Sequence, residues 1–193
     1  MKSKILILNG HPDALSFCAA LSAAYAEGAR TTNAEVRTLA VGELAFEINL
    51  KHGFRQRTEL EPDLLRAQEW IRWADHIVIV YPTWWGTLPA VLKGFFDRTL
   101  LPGFAFRYKD NGMLPEKLLG GKSARVIVTS DTPSWVNRLF YKQAGIRVIK
   151  QHILQFCGIT PVRITYFSPV TKSAESPRAS WLAQVRKLGE KLA

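Results

Sequence analysis

"KILILNGHPDALSFCAALSAAYAEGARTTNAEVRTLAV" (Lys4 to Val41) decides the architecture of this chain. The run from Lys4 to Gly10 is continuously apolar and stops at Asn9-Gly10. Such a run fits a strand buried on both faces rather than one with a wet side. Ser16 then stands where an N-cap belongs, ahead of an Ala-rich stretch that reaches Arg30. Phe17, Ala20, Leu21 and Ala24 recur there at helical spacing. Ala34 to Val41 reads as a second strand. Strand, helix and strand at this spacing make a βαβ unit, which implies a parallel sheet.

The alternation continues. Leu44 to Leu60 is irregular and polar, a long connection with room for a short helix. Pro62 opens a helix whose expected apolar face includes Leu65, Ile71 and Ala74. His76 to Pro82 is a third buried strand, and Leu88 to Leu100 a third helix. Ala124 to Asp131 is a fourth strand, Asn137 to Gly158 a mostly helical stretch with Gly158 as its C′ residue, and Val162 to Ser168 a fifth strand. Ser176-Pro177 opens a closing helix that runs to Leu192. Five strands alternating with five helices predict one α/β domain over residues 1–193, a doubly wound three-layer α/β/α sandwich.

With 47% hydrophobic and 22% charged residues, the composition is that of a globular domain with a full core. The formal net charge of +10 favours anionic partners. The basic residues are dispersed and no nucleic-acid motif accompanies them, so the expectation is no nucleic-acid partner. Cys18 and Cys157 show no metal-ligand spacing and sit in apolar contexts, which suits a reducing, cytoplasmic setting. The apolar run after Lys4 is too short for a signal peptide, and no segment reads as a membrane span.

In a doubly wound sheet, ligands bind beyond the carboxyl ends of the strands. Three segments therefore matter: "NGHPDALSF", "YPTWWGT" and "TSDTPSW". The first sets Ser16 and a helix start after a buried strand, where free N–H groups and the helix dipole attract phosphate. His11 can add a donor there. Equally, Ser16 can be a plain cap and His11 a turn residue. No GxGxxG or GxxxxGK[ST] is present, which argues against a Rossmann dinucleotide site and excludes a P-loop. The second segment places Trp84 and Trp85 on a turn next to Gly86. Indole surface there suits a flat ligand stacked in the crevice, or packing in a loop core or subunit interface, and these uses are compatible.

"PTWWGTLPAVLKGFFDR" resembles the signature of the NAD(P)H:quinone oxidoreductases of the flavodoxin-like superfamily, and "NGHPDALSF" and "ILQFCGI" resemble further segments of that family. The resemblance covers about Lys4 to Phe167. It implies a flavodoxin-like five-stranded sheet of order 2-1-3-4-5, a noncovalent flavin (FMN, with FAD as the alternative) and a homodimer. NAD(P)H would be the hydride donor and a quinone or similar flat molecule the acceptor, sharing one site in turn. Carried over, His11, Ser16, Phe17 and Cys18 would line the flavin phosphate site. Pro82, Thr83, Trp84, Trp85 and Gly86 would line the ring system, and Thr129, Ser130 and Asp131 would approach its other edge. The resemblance designates no catalytic acid or base here. The alternative is a flavin-binding regulatory subunit of a potassium efflux system, or an electron carrier.

Overall fold

A computed structural model describes residues 2–53, 55–56, 58–109 and 114–192. The chain forms β1 (Lys4–Asn9), α1 (Phe17–Arg30), β2 (Glu35–Ala40), α2 (Pro62–Trp73), β3 (His76–Pro82) and α3 (Ala90–Thr99). A small hairpin of β4 (Phe106–Arg107) and β5 (Glu116–Lys117) follows. Then come β6 (Ser123–Thr129), α4 (Ser134–Leu139), α5 (Ala144–Arg147), β7 (Val162–Phe167) and α6 (Glu175–Glu190). The main sheet is parallel, in order β2-β1-β3-β6-β7. With the hairpin set aside, this is the expected flavodoxin-like order 2-1-3-4-5.

Strand alternation sorts the apolar runs between two cores. Leu6, Leu8, Ile77, Ile79, Tyr81, Val126 and Val128 face the side covered by α2 and α3. Ile5, Ile7, Val78, Val80 and Ile127 face the side covered by α1 and α6. Both parities of β1 and β3 are apolar because both faces are buried. A side chain of this class contributes roughly 1.5–3 kcal/mol on full burial, so these strands anchor the fold.

Several helix details differ from the sequence reading. On α1 the buried stripe is Cys18, Leu21, Tyr25, Ala26 and Ala29, whereas Ala20 faces water. On α2 the buried residue is Leu64, and Leu65 is exposed. Ala174, not Ser176, occupies the N-cap of α6. The mostly helical stretch expected over 137–158 is interrupted: α4 ends at Leu139, and Lys142 and Gln143 take positive φ before α5. From Val148 to Leu154 the helix continues with π-type hydrogen bonding.

The long connection after β2 carries a short 3₁₀ turn at Val41–Glu43. Among its described residues, 44–60 hold no helix. Its order comes instead from Arg98, a residue that composition alone assigns to the surface. The Arg98 side chain is buried and donates to Glu61 Oε2 at 2.8 Å, to the carbonyl of Glu59 at 3.2 Å and to the carbonyl of Glu47. Glu61 in turn accepts from the Glu47 N–H at 3.0 Å. One guanidinium thus ties the loop to α3, using the several donors that only Arg offers in a fixed plane.

Candidate functional site

The site is assembled where β1, β3 and β6 end. After β1, the Asn9 amide oxygen accepts from the His11 N–H at 3.2 Å. His11 Nδ1 accepts from the Asp13 N–H at 2.9 Å, and Asp13 Oδ1 accepts from the Leu15 N–H at 2.8 Å. Because Nδ1 is an acceptor, neutral His11 carries its proton on Nε2. Asn9 is a residue the sequence reading left as turn punctuation; its burial at the end of a strand is the signal that it orders the loop.

Ser16 is the N-cap of α1, with extended backbone and its Oγ accepting from the Ala19 N–H at 3.2 Å. Capping uses the Ala19 donor. Helix geometry leaves the N–H groups of Phe17 and Cys18, at the first two helical positions, without a carbonyl four residues back. Those donors and the helix dipole make the start of α1 attractive to an anion. The Cys18 side chain turns inward, its Sγ 3.3 Å from Thr129 Oγ1. Burial pushes the Cys18 thiol up to about 11, partly offset by the Thr129 hydroxyl. Cys18 therefore offers its backbone to the helix start, while its neutral side chain links α1 to the end of β6.

Pro82 closes β3 opposite Thr129, and the Thr83 N–H donates to the Thr129 carbonyl at 2.7 Å. The chain then reverses. Trp84 and Thr87 exchange both backbone hydrogen bonds at 3.0 Å, with Trp85 and Gly86 at the tip. Both tip residues take positive φ, 49° and 77°, the pattern of a tight primed turn. Gly86 adopts that geometry freely, whereas a bulky residue such as Trp85 does so at a cost of roughly 1 kcal/mol. Backbone strain of this kind concentrates at ligand clamps and switch regions.

The turn is braced from behind. A Cβ added to Gly145 would lie 2.1 Å from the Gly86 carbonyl oxygen, so the start of α5 presses directly on the turn. Sequence reasoning missed Gly145, because only the three-dimensional approach of the two segments reveals its use. On the inner side Trp84, 43% exposed, meets the His11 ring edge to face with centroids 5.3 Å apart. Trp85 is fully exposed and projects from the tip. The two indoles therefore play different parts: Trp84 joins the turn to the first loop, and Trp85 stands free.

Thr129 and Ser130 are buried at the end of β6. Ser130 Oγ accepts from the Thr132 N–H at 3.1 Å. The Asp131 carboxylate is engaged by the loop after β7. It accepts from the Val170 N–H at 3.1 Å and from both the N–H and the hydroxyl of Thr171 at 2.6 Å. Those bonds, the Thr171 hydroxyl first, hold its carboxyl below the usual carboxylate range. The structure thus brings His11, the start of α1, Trp84 and Thr129 together. It leaves Trp85 at the rim and commits the Asp131 side chain to the loop after β7.

These residues suit a flat molecule with a phosphate tail. The N–H groups of Phe17 and Cys18 and the neutral His11 Nε2–H are donors that can meet an anion, and the Trp84 indole is a flat face beside them.

A model of the flavodoxin-like fold family matches residues 3–192. The chain belongs to this family. A Haemophilus influenzae protein named as an uncharacterized NAD(P)H oxidoreductase is 28% identical over 174 residues, 86% of this chain and 83% of that protein. The human ribosyldihydronicotinamide dehydrogenase [quinone] is 28% identical over 156 residues, 74% of this chain; the match spans 64% of the human protein. A crystal structure from Streptococcus mutans superposes with a TM-score of 0.81 at 31% identity, covering 99% of this chain and all of that one. An FMN-dependent NADH-azoreductase from Bacillus anthracis, solved with FMN, shares the fold with a TM-score of 0.76 at 18% identity and 99% coverage of each chain. In the flavodoxin-like fold the topological switch point lies between the first and third strands of the sheet. Here that point separates β1 from β3, and the two loops meeting there are those of His11 and Trp84.

Proposed function

We propose that this chain is a flavin-dependent NAD(P)H:quinone oxidoreductase that works in the cytoplasm as a homodimer, with FMN as the cofactor. The observation that carries the reading is the meeting of an anion-attracting helix start with an aromatic turn at the switch point, joined by the contact of His11 and Trp84. The names of the relatives support the same chemistry.

A bound flavin supplies two-electron hydride chemistry, taking a hydride from NAD(P)H and passing it to a quinone or similar flat acceptor. The chain supplies position and electrostatics. Phe17 and Cys18 hold the phosphate by their backbone N–H groups, with Ser16 and His11 beside it. Thr83, Trp84 and Gly86 line one edge of the ring site, with Pro82 beneath and Trp85 at its rim. Thr129 and Ser130 form the opposite wall, and Asp131 fixes the loop after β7 behind them. The wall contacts hold reacting rings in register, where orientation lowers a barrier most. Donor and acceptor use one slot in turn, which implies ping-pong kinetics.

Steady-state oxidation of NADH and NADPH by the flavin-loaded protein, with a soluble quinone as acceptor, tests the activity. Parallel double-reciprocal plots support the reading. Flavin bound without quinone-dependent NAD(P)H oxidation would contradict it.

A further inference from the structure

Tyr81, Val128 and Tyr166 stand in one row across β3, β6 and β7, paired in register. Tyr81 and Val128 are buried in the core on the α2 and α3 side, and the half-buried Tyr166 packs against it. The Tyr166 hydroxyl reaches past the end of the neighbouring strand β6 and donates to the Thr132 carbonyl at 2.9 Å. A phenol set partly into a core keeps its polar tip paired in this way. Among the described residues, no backbone N–H donates to that carbonyl.

The carbonyl belongs to the loop 130–132, which leaves β6 for α4. The first half of that loop is tied to the chain at and after the end of β7. The Ser130 N–H donates to the Phe167 carbonyl at 3.0 Å, the Val170 N–H donates to the Ser130 carbonyl at 3.1 Å, and the Asp131 carboxylate accepts from Val170 and Thr171. The second half has fewer ties. The Thr132 N–H turns back to Ser130 Oγ, a bond inside the loop itself. Helix α4 buries no residue against this chain, so it does not hold the loop from the far side. Within the chain, the Tyr166 hydroxyl is the bond that fixes the loop where it enters α4.

We infer that Tyr166 is a positioning residue whose hydroxyl sets the loop 130–132 as a wall for the flavin ring. The inference rests on the proposed function, since that reading assigns Ser130 to the ring site. Tyr166 acts through Thr132 and takes no part in hydride transfer. A neutral hydrogen bond contributes modestly once competition with water is counted, so its loss loosens the loop without unfolding the chain. A wall already in place lowers the cost of binding a flat ligand, and its register governs the reaction geometry. Tyr166→Phe isolates the effect, because it deletes one oxygen and leaves the ring against the core.

Two measurements on the full chain test the inference. In the flavin-free protein, amide hydrogen exchange across residues 130–136 should run about fivefold faster in Tyr166→Phe, with exchange in β1 and β3 unchanged. In the FMN-loaded protein, the variant should bind FMN about fivefold more weakly, and the visible absorption band of the bound flavin should move toward that of free FMN. A merely structural phenol would lower the thermal midpoint and leave that band in place. Tyr81→Phe removes a hydroxyl from the same row that is not bonded to the loop, and it should change neither readout. Unchanged exchange in Tyr166→Phe overturns the inference. So does faster exchange with unaltered FMN affinity and band, or a Tyr81→Phe variant that reproduces the effects. A wild-type chain that binds neither FMN nor FAD overturns the functional reading and this role with it. The exchange result tells the two failures apart, because it involves no flavin.

Discussion

The imidazole of His11 and the indole of Trp84 meet edge to face, 5.3 Å between centroids and 73° between planes. This contact joins two loops that are far apart in sequence and adjacent only because β1 and β3 are neighbours in the sheet. It also fixes where the ring wall stands relative to the start of α1. Aromatic pairs of this geometry contribute about 0.5–1.5 kcal/mol beyond their burial. Trp84→Ala removes both the contact and the wall. We expect it to weaken flavin binding by about tenfold, a loss of about 1.4 kcal/mol, measured by quenching of flavin fluorescence. Trp85→Ala, at the exposed tip, should cost less affinity than Trp84→Ala.

Gly145 should behave as part of the same site although it lies outside the crevice. Its Cα faces the Gly86 carbonyl so closely that a methyl group has no room. Gly145→Ala must push the turn that carries Trp84 and Trp85. Flavin affinity should fall more than the thermal midpoint does. A variant with unchanged affinity would show that the turn has slack.

Arg98 is the main structural wager of the α3 side. Replacing it with Met keeps much of the volume and leaves the Glu61 carboxylate and two loop carbonyls without their donor. Removing one partner of a buried pair costs about 3–5 kcal/mol, and the partial exposure of Glu61 places this case near 3. For a chain of this size that is a fall of roughly 6–12 °C in the unfolding midpoint. Calorimetry of Arg98→Met checks it.

His76 gives the fold a pH dependence of its own. Its ring is buried under the Tyr25 ring with Nδ1 2.7 Å from Ser123 Oγ, and Nε2 has no partner. Burial first, then the charges of Arg125 and Arg163, lower its pKa from 6.5 to about 4. The unfolded chain therefore binds the proton more tightly than the folded one. Stability is unaffected above pH 6.5, falls as pH drops through the window to about 4, and then levels off. The linked loss approaches about 3 kcal/mol. Urea unfolding between pH 7 and pH 5 should show this slope, flattened in His76→Gln. The lowered carboxyls of Glu61 and Asp131 also lose stability with acid, but only below the usual carboxylate range.

The thiols should be inert in the native state. Burial pushes both Cys18 and Cys157 up to about 11, so little thiolate exists at neutral pH. A disulfide-exchange reagent should modify neither until the protein unfolds. Rapid labelling of native Cys18 would show that the start of α1 opens.

Much of this architecture was legible in the sequence because it rests on local patterns. The runs Lys4–Asn9, His76–Pro82 and Ser123–Thr129 are mostly apolar, with Asn9, His76, Arg125 and Thr129 as buried polar exceptions, and Ser16 carries its cap chemistry on its face. What escaped depends on contacts between distant segments. Leu64 is an exception: it shares a helical face with Ala67, Gln68 and Ile71, so the spacing itself favours it over Leu65, which the expected face named instead. The break before α5, at Lys142 and Gln143, precedes Gly145, whose close approach to Gly86 is a contact between segments distant in sequence. Arg98 and Asp131 were legible as charges but not as loop fasteners, since their partners are mainly backbone groups of remote loops.

The central claim is that the crevice between the start of α1 and the Trp84 turn holds a flavin. Titration of FMN into the purified chain, followed by flavin fluorescence, tests it most directly. Saturable quenching that Trp84→Ala weakens and that excess inorganic phosphate opposes is the result this account predicts. Unquenched fluorescence with both FMN and FAD, from protein that is folded and colourless as purified, would contradict it.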